Sequence, residues 1–154
     1  MTRLQVMYDQ HGPALLRYLR RLTGHSATAE DLLQETFVQA LRAPERLETV
    51  ISPKAWLFTI ARNLGLNALR GRRRHQALVE QIAAPEPADA DQHEELLRAI
   101  AGLPPEQRET LELRLREELS YAEIADVLGI PVGTVRSRLH LAVKRLREAM
   151  TEAP

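Results

Sequence analysis

Residues 120–147 read SYAEIADVLGIPVGTVRSRLHLAVKRLR and contain the signals of two short helices joined by a tight turn. Ser120 followed by Glu123 is the pattern of a capping box, which begins a helix. Gly129 and Pro131 then interrupt the apolar repeat before a second repeat starts. Two helices joined by a short turn that contains glycine are typical of a helix-turn-helix. In that motif the second helix is the one that lies against DNA.

The second helix carries two separate stripes when its residues are spaced at about 100°. One stripe is apolar and predicts the buried face: Val132, Val135, Leu139, Ala142, Val143, Leu146 and Met150. The other is polar and basic: Gly133, Arg136, Ser137, His140, Lys144 and Arg147. Arg136 and Ser137, near the helix start, predict contacts with base edges, while Lys144 and Arg147 predict contacts with phosphates. A solvated surface helix could give the same polar stripe. The tight turn before the helix and the absence of acidic residues from the stripe favour DNA binding instead.

Charge is segregated along the chain, although the formal net charge of the 154 residues is zero. Residues 62–74 and 136–147 are basic blocks without an acidic residue, and acidic residues dominate the segment between them. Because charges more than about 10 Å away are screened, each basic block sets the field that a polyanion meets locally. Zero net charge is therefore compatible with nucleic-acid binding.

Composition excludes several other classes of protein. The chain has no cysteine, which excludes disulfides, thiolate zinc sites and a cysteine nucleophile, and which fits a reducing cytoplasm. No apolar run approaches the roughly 20 residues of a membrane span, and no secretory signal opens the sequence. The five histidines are scattered without metal-ligand spacing, and no glycine-rich phosphate loop is present. We therefore expect a cytoplasmic protein that is no enzyme, with no metal, no cofactor and no membrane insertion.

Helical periodicity covers nearly every segment and predicts an all-α fold. The predicted helices are Leu4–Leu22, Thr28–Leu41, Ser52–Gly71, His93–Ala101, Pro105–Glu117, Ser120–Leu128 and Val132–Met150. Residues 83–91, AAPEPADAD, lack periodicity and predict an extended linker. We predict two small helical domains, 1–75 and 93–154, joined by a flexible acidic linker, 76–92.

The helix that begins at Ser52 has a predicted core face of Leu57, Ile60, Ala61, Leu64 and Ala68. A different face combines an aromatic ring, two amides and two guanidinium groups: Trp56, Asn63, Asn67, Arg70 and Arg74. This combination suits nucleic acid, since arginine binds phosphate, asparagine reads base edges and an aromatic ring stacks on unpaired bases. The alternative is that Trp56 only packs at the helix entrance.

The helix that begins at Thr28 has a predicted core face of Leu32, Leu33, Phe37, Ala40 and Leu41. Its opposite face carries Asp31, Gln34, Glu35, Val38 and Arg42. An exposed valine among acidic and amide groups is a candidate surface for docking another protein. A solvated acidic face remains the alternative.

Four stretches, in this order, resemble the extracytoplasmic-function (ECF) group of bacterial sigma factors. Residues 29–40, AEDLLQETFVQA, resemble region 2.2, and residues 52–74 resemble regions 2.3 and 2.4. Residues 103–108, LPPEQR, open a stretch similar to region 4.1, and residues 119–139 resemble region 4.2. The resemblance covers nearly the whole chain outside the linker.

The resemblance implies a role for each face. Asp31, Gln34, Glu35 and Val38 would bind the β′ clamp helices of core RNA polymerase. Trp56, Asn63, Asn67, Arg70 and Arg74 would meet the minus-ten promoter element, with residues before Ser52 holding a flipped base. Gly133, Thr134, Arg136, Ser137, His140, Lys144 and Arg147 would bind the minus-thirty-five element. The family further implies contact with the β flap, an acidic linker that threads toward the active-site channel, and an anti-sigma partner.

One departure affects the minus-ten preference. Where the family commonly has aspartate, this chain has Asn67, and an amide can donate a hydrogen bond as well as accept one. The competing interpretation of the whole chain is a one-component helix-turn-helix regulator with an N-terminal dimerisation or sensor module. The basic and aromatic face around Asn63 argues against that regulator, because a sensor domain has no need of it.

Overall fold

The computed structural model describes residues 2–76 and 94–152, and all regular structure within them is α-helical. Eight helices lie in these residues: α1 (Arg3–Thr23), α2 (Ser26–Leu41), α3 (Pro44–Thr49), α4 (Pro53–Gln76), α5 (Glu94–Ala101), α6 (Pro105–Leu115), α7 (Tyr121–Leu128) and α8 (Val132–Glu152). The all-α prediction is confirmed.

The chain divides into two compact units, Met1–Pro85 and Glu86–Pro154. Unit 1 contains α1 to α4 and unit 2 contains α5 to α8. The predicted linker, 76–92, lies outside the described residues except for Gln76, the last residue of α4. The finer domain bounds stay a prediction.

The core of unit 1 forms where α1, α2 and α4 pack against one another. Leu15 and Leu19 of α1 and Leu57 and Phe58 of α4 are completely buried. The ring of Tyr18 meets the ring of Phe58 edge-on, with 5.2 Å between centroids. This geometry is one that the quadrupoles of two aromatic rings favour.

Gly65 lies where α4 crosses α1 and is buried. A Cβ atom added at this position would come within 2.4 Å of Cδ2 of Leu22. The missing side chain therefore lets the two helices approach closely, which fixes how α4 is turned relative to the core.

Several helix ends carry capping groups that fix where the helix begins or stops. The Ser52 hydroxyl accepts a hydrogen bond from the Ala55 N–H at 3.1 Å, which caps α4. Gly24 and Gly129 end α1 and α7 in the left-handed region, with φ of 75° and 66°.

The core of unit 2 forms between α8 and the three helices before it. Leu113 of α6, Leu119, Ile124 of α7 and Val135 of α8 are almost completely buried. Ile100 of α5 closes another side of the same core. The result is a small bundle in which α8 is the longest helix.

Several sequence-based expectations about the fold are wrong. Helix α3 was not predicted, because six residues are too few to show an apolar period. Leu41, predicted to be core, is 61% exposed at the end of α2. Val132, Val143 and Met150, placed on the buried stripe of α8, are exposed because they lie at the edge of that stripe, away from the arc of Val135, Leu139 and Ala142.

Candidate nucleic-acid interface

The helix-turn-helix of unit 2 is built from α7, a tight turn and α8. The capping box begins α7: the Glu123 N–H donates to the Ser120 hydroxyl at 3.1 Å, and the Ser120 N–H donates to the Glu123 carboxylate at 2.9 Å. In the turn, the Ile130 N–H donates to the Ala125 carbonyl at 3.1 Å. The Pro131 carbonyl then accepts from Thr134 at 3.0 Å, so the first turn of α8 follows directly.

The buried face of α8 fixes the direction of its polar face. Val135 and Ala142 are fully buried and Leu139 is nearly so. The residues predicted to contact DNA lie away from this seam and are exposed: Gly133, Arg136, Ser137, His140, Lys144 and Arg147. Thr134 is half-buried. The structure thus brings the predicted minus-thirty-five residues onto one solvent-facing side of one helix.

Gly133 lies at the start of that face with open space around it. A Cβ atom built there would meet no atom within 4 Å. Packing within the protein therefore gives no reason for a glycine at this position. The space is available to a ligand that approaches the backbone of α8 closely.

The exposed face of α4 is opposite the face that packs on α1 and α2. Asn63, Asn67 and Arg70 are exposed, at spacings of four and three residues that place them on one side of the helix. Trp56 is half-buried at the start of α4, so one part of its indole packs and another faces solvent. The side chain of Arg74 lies outside the described residues.

Ile51, which precedes the cap of α4, is fully exposed at 101% of its reference area. An exposed large apolar residue beside Trp56 places two apolar side chains at the entrance of the same helix. Ile51 was not predicted individually, only as one of the residues before Ser52, because a lone isoleucine in a loop has no periodic signal.

The predicted docking face of α2 also faces outward. Asp31 and Gln34 are exposed, Glu35 is half-buried and Val38 is 37% exposed. The neighbouring Phe37 is buried and its ring packs against Tyr8, with 4.9 Å between centroids. The aromatic contact therefore orients α2 so that its acidic side remains accessible.

A junction between α6 and α7 was not predicted from the sequence. Nη1 of Arg114 in α6 donates to the carbonyl of Leu119 at 3.0 Å, and its guanidinium lies 5.4 Å from the centre of the Tyr121 ring. Directly before these two partners, Glu118 adopts φ of 55°. A left-handed glutamate cannot be recognised from helical periodicity, which explains the omission.

Two kinds of feature are absent from the part of the chain that the structure describes. None of its helices has the length and apolarity needed to cross a membrane. Within the same residues, histidine and carboxylate side chains do not gather in a group of three that could hold a metal ion.

Comparison with known proteins assigns both halves of the chain to one family. Residues 7–75 match the family model of sigma-70 region 2, and residues 93–146 match that of sigma-70 region 4. The first match includes the half of the chain that a one-component regulator would use as a sensor module. That alternative is therefore not favoured.

Individual relatives extend over almost the full chain. The ECF RNA polymerase sigma factor SigL of Mycobacterium tuberculosis is 38% identical, over 97% of this chain and 89% of SigL. The RNA polymerase sigma factor CarQ of Myxococcus xanthus is 35% identical, over 95% of this chain and 88% of CarQ.

A solved structure shares the fold. It is the sigma factor RpoE in complex with the anti-sigma factor NepR from Bartonella quintana, with a TM-score of 0.75 and 29% identity. The match covers 97% of this chain and 98% of that one. The chain therefore belongs to the ECF group of RNA polymerase sigma factors, the initiation factors that direct the polymerase to promoters.

Proposed function

We propose that the exposed faces of α4 and α8 are two promoter contacts of this initiation factor, for the minus-ten and minus-thirty-five elements respectively. The observation that supports this best is that each unit turns a polar face toward solvent, away from its own core, with no acidic residue from Asn63 to Arg70 on α4 or from Gly133 to Arg147 on α8. Each face alone binds DNA weakly. When both units are held on one polymerase, binding of one face to the promoter raises the effective concentration of the other face at its own element. The chain acts in the cytoplasm, where the polymerase is.

The overall activity is tested by transcription with purified components. Core polymerase supplemented with the full chain should initiate at a subset of fragments in a genomic promoter pool. Core polymerase alone is the control. If no fragment responds to addition of the chain, the proposal fails.

At the minus-thirty-five element, Arg136 reads a base while Lys144 binds phosphate. Arg136 is in the first turns of α8, where a recognition helix reaches base edges, and Lys144 lies two turns further along. Arg136→Ala should cost about 1–3 kcal/mol and change the preference at one base position. Lys144→Ala, the matched control, should weaken binding evenly across sequences and reduce the salt dependence. An even loss for Arg136→Ala would make it a phosphate contact instead.

At the minus-ten element, Asn63 and Asn67 face the bases and Arg70 faces the backbone. Ile51 and Trp56 lie at the start of the same helix, where exposed apolar and aromatic groups can receive an unstacked base. Asn67→Asp restores the residue common in the family and should shift the preferred minus-ten sequence. Sequencing of promoters selected by the two holoenzymes measures the shift, and identical selected sequences would remove Asn67 from base readout.

The outward face of α2 docks on the clamp helices of polymerase. Asp31, Gln34, Glu35 and Val38 form an acidic surface with one apolar residue, and the burial of Leu33, Phe37 and Ala40 turns this surface outward. Glu35→Lys should weaken polymerase binding in a pull-down while the circular dichroism spectrum is unchanged. Glu45→Lys on α3 makes the same charge change on another exposed surface and should leave binding intact. Equal binding by both variants would assign docking to another face.

An anti-sigma protein is the proposed regulator. The Bartonella quintana sigma factor that shares this fold was solved in complex with the anti-sigma factor NepR. By that likeness, a protein that covers α2 or α8 would block polymerase or promoter binding here. Contact with the β flap and passage of the acidic linker toward the active-site channel remain part of the same proposal.

A further inference from the structure

The α6–α7 turn, residues 116–120, connects the helix-turn-helix to the rest of unit 2. Helix α6 ends at Leu115, and Glu118 takes a left-handed conformation, with φ of 55°, before Ser120 begins α7. The Leu119 N–H donates back to the Leu113 carbonyl at 3.2 Å. The chain thus passes from α6 to α7 over the five residues 116–120, and the geometry of this turn sets the direction in which α7 leaves.

We propose that Arg114 is a positioning residue for promoter recognition, which acts by clamping the α6–α7 turn. Its guanidinium holds both sides of Ser120, through the hydrogen bond to Leu119 and the stacking over Tyr121. A planar guanidinium can donate at its edge and stack with its face at the same time, which an ammonium group cannot do. The proposal rests on the assignment of α8 to the minus-thirty-five element.

The clamp matters because α7 cannot fix its own direction. A helix of eight residues is marginal by itself and takes its orientation from packing and from its ends. Its C-terminal end leads through the tight turn at Gly129 into α8. A change in the direction of α7 therefore moves Arg136 and Ser137 relative to the base edges they would contact.

The conformation of Glu118 shows that this turn needs support from its surroundings. A left-handed conformation costs a non-glycine residue roughly 1 kcal/mol or more, so it persists only where the surroundings enforce it. The contacts that hold the chain directly after Glu118 are those of Arg114 with Leu119 and Tyr121. Glycine adopts the same φ without this cost, so glycine at position 118 should make the turn less dependent on the clamp.

The test uses the full chain bound to core RNA polymerase. The probes are a promoter duplex selected by the wild-type holoenzyme from randomised DNA, and the same duplex with its upstream element scrambled. Arg114→Ala and Arg114→Lys should each reduce affinity for the selected duplex by at least about threefold, as expected for loss of an exposed stacking contact and a hydrogen bond. Affinity for the scrambled duplex should not change. Arg116→Ala, which removes the same charge two residues away, should behave as wild type.

Two further measurements separate positioning from other roles. The slope of log affinity against log salt should be the same for Arg114→Ala and wild type, whereas a lost phosphate contact would reduce it by about one. The double variant Arg114→Ala with Glu118→Gly should recover part of the lost affinity.

Each other result overturns the proposal. A reduced salt slope would make Arg114 a DNA contact, and equal losses on both duplexes would make it a residue of general stability. Wild-type affinity of both Arg114→Ala and Arg114→Lys would show that the clamp is dispensable. If Arg114→Ala does not fold, the affinity of Arg114→Lys for the two duplexes decides the proposal. If the wild-type holoenzyme selects no promoter at all, the assignment of α8 fails rather than the clamp.

Discussion

Of the non-glycine residues that the structure describes, Glu118 is the one with a positive φ. Replacing it with glycine should raise the free energy of unfolding by up to about 1 kcal/mol, because glycine does not pay the steric cost of this conformation. Denaturant unfolding of the full chain measures the change. Glu112→Gly, the same substitution inside α6, should instead lower stability by about 1 kcal/mol. A loss of stability for both variants would show that the Glu118 side chain makes a stabilising contact.

His11 makes the stability of unit 1 depend on pH. Burial of its imidazole, together with the positive charge of Lys54, lowers the pKa of His11 below its ordinary value of 6.5. The unfolded chain therefore takes up a proton at a higher pH than the folded chain does. The stability contributed by neutral His11 is complete above pH 6.5 and is lost as the pH falls through and below this value.

The His11 prediction is checked by denaturant unfolding between about pH 7.5 and about pH 5.5. His11→Gln cannot take up the proton and should flatten the fall in unfolding free energy over this interval. Lys54→Gln removes one of the two causes and should flatten it in part. Identical pH profiles for wild type and His11→Gln would contradict the assignment.

Residue by residue, the sequence predicted caps and exposed faces better than burial. Ser52, Ser120 and Gly129 have roles that depend on their immediate neighbours, so local patterns identify them. Phe58 is fully buried but was not assigned to the core of α4, because several apolar arcs compete on that helix. Only the positions of α1 and α2 decide which arc is buried, and these are tertiary information.

At the scale of elements, the approach of α4 to α1 depends on Gly65. Gly65→Ala should destabilise unit 1 by up to about 1 kcal/mol, because the new methyl group would overlap Cδ2 at the end of the Leu22 side chain, and the cost of moving this side chain should exceed the gain in helix propensity. Thermal unfolding monitors the loss. Leu22→Ala added to Gly65→Ala should cost less than the sum of the two single changes, since it makes room for the methyl group.

Gly71 provides the control within the same helix. A Cβ atom at Gly71 would meet nothing within 4 Å, and the position is exposed. Gly71→Ala should therefore stabilise α4 by about 0.5–1 kcal/mol through helix propensity alone. If both alanine variants changed stability in the same direction, packing at Gly65 would not be the cause of its effect.

Element boundaries were predictable where an apolar repeat and a capping signal agree, as in α7 and α8. Helix α3 has neither a long repeat nor a capping side chain, since Ala43 precedes it, and it was missed. Close helix crossings such as that at Gly65 leave no mark in hydropathy, because glycine has no side chain to score. The clamp at Arg114 was invisible for a related reason: its partners are a carbonyl group and a ring in another element.

At the scale of the whole molecule, each unit has a core of its own. Leu57 is fully buried in unit 1, and Leu57→Ala should lower the stability of that unit by about 2–5 kcal/mol. Amide hydrogen exchange should then accelerate in α1, α2 and α4 and stay unchanged in α6 to α8. Faster exchange in α8 as well would show that the two units unfold as one.

Trp56 is the chain's one tryptophan, and it lies half-buried at the start of α4. Intrinsic indole fluorescence of the free protein therefore comes from unit 1 alone, without a label. An unpaired base stacked on this indole would quench its emission. Binding events confined to α8 would leave the emission unchanged. The molecule thus carries its own optical reporter, placed on the side of the protein where strand opening is proposed to begin.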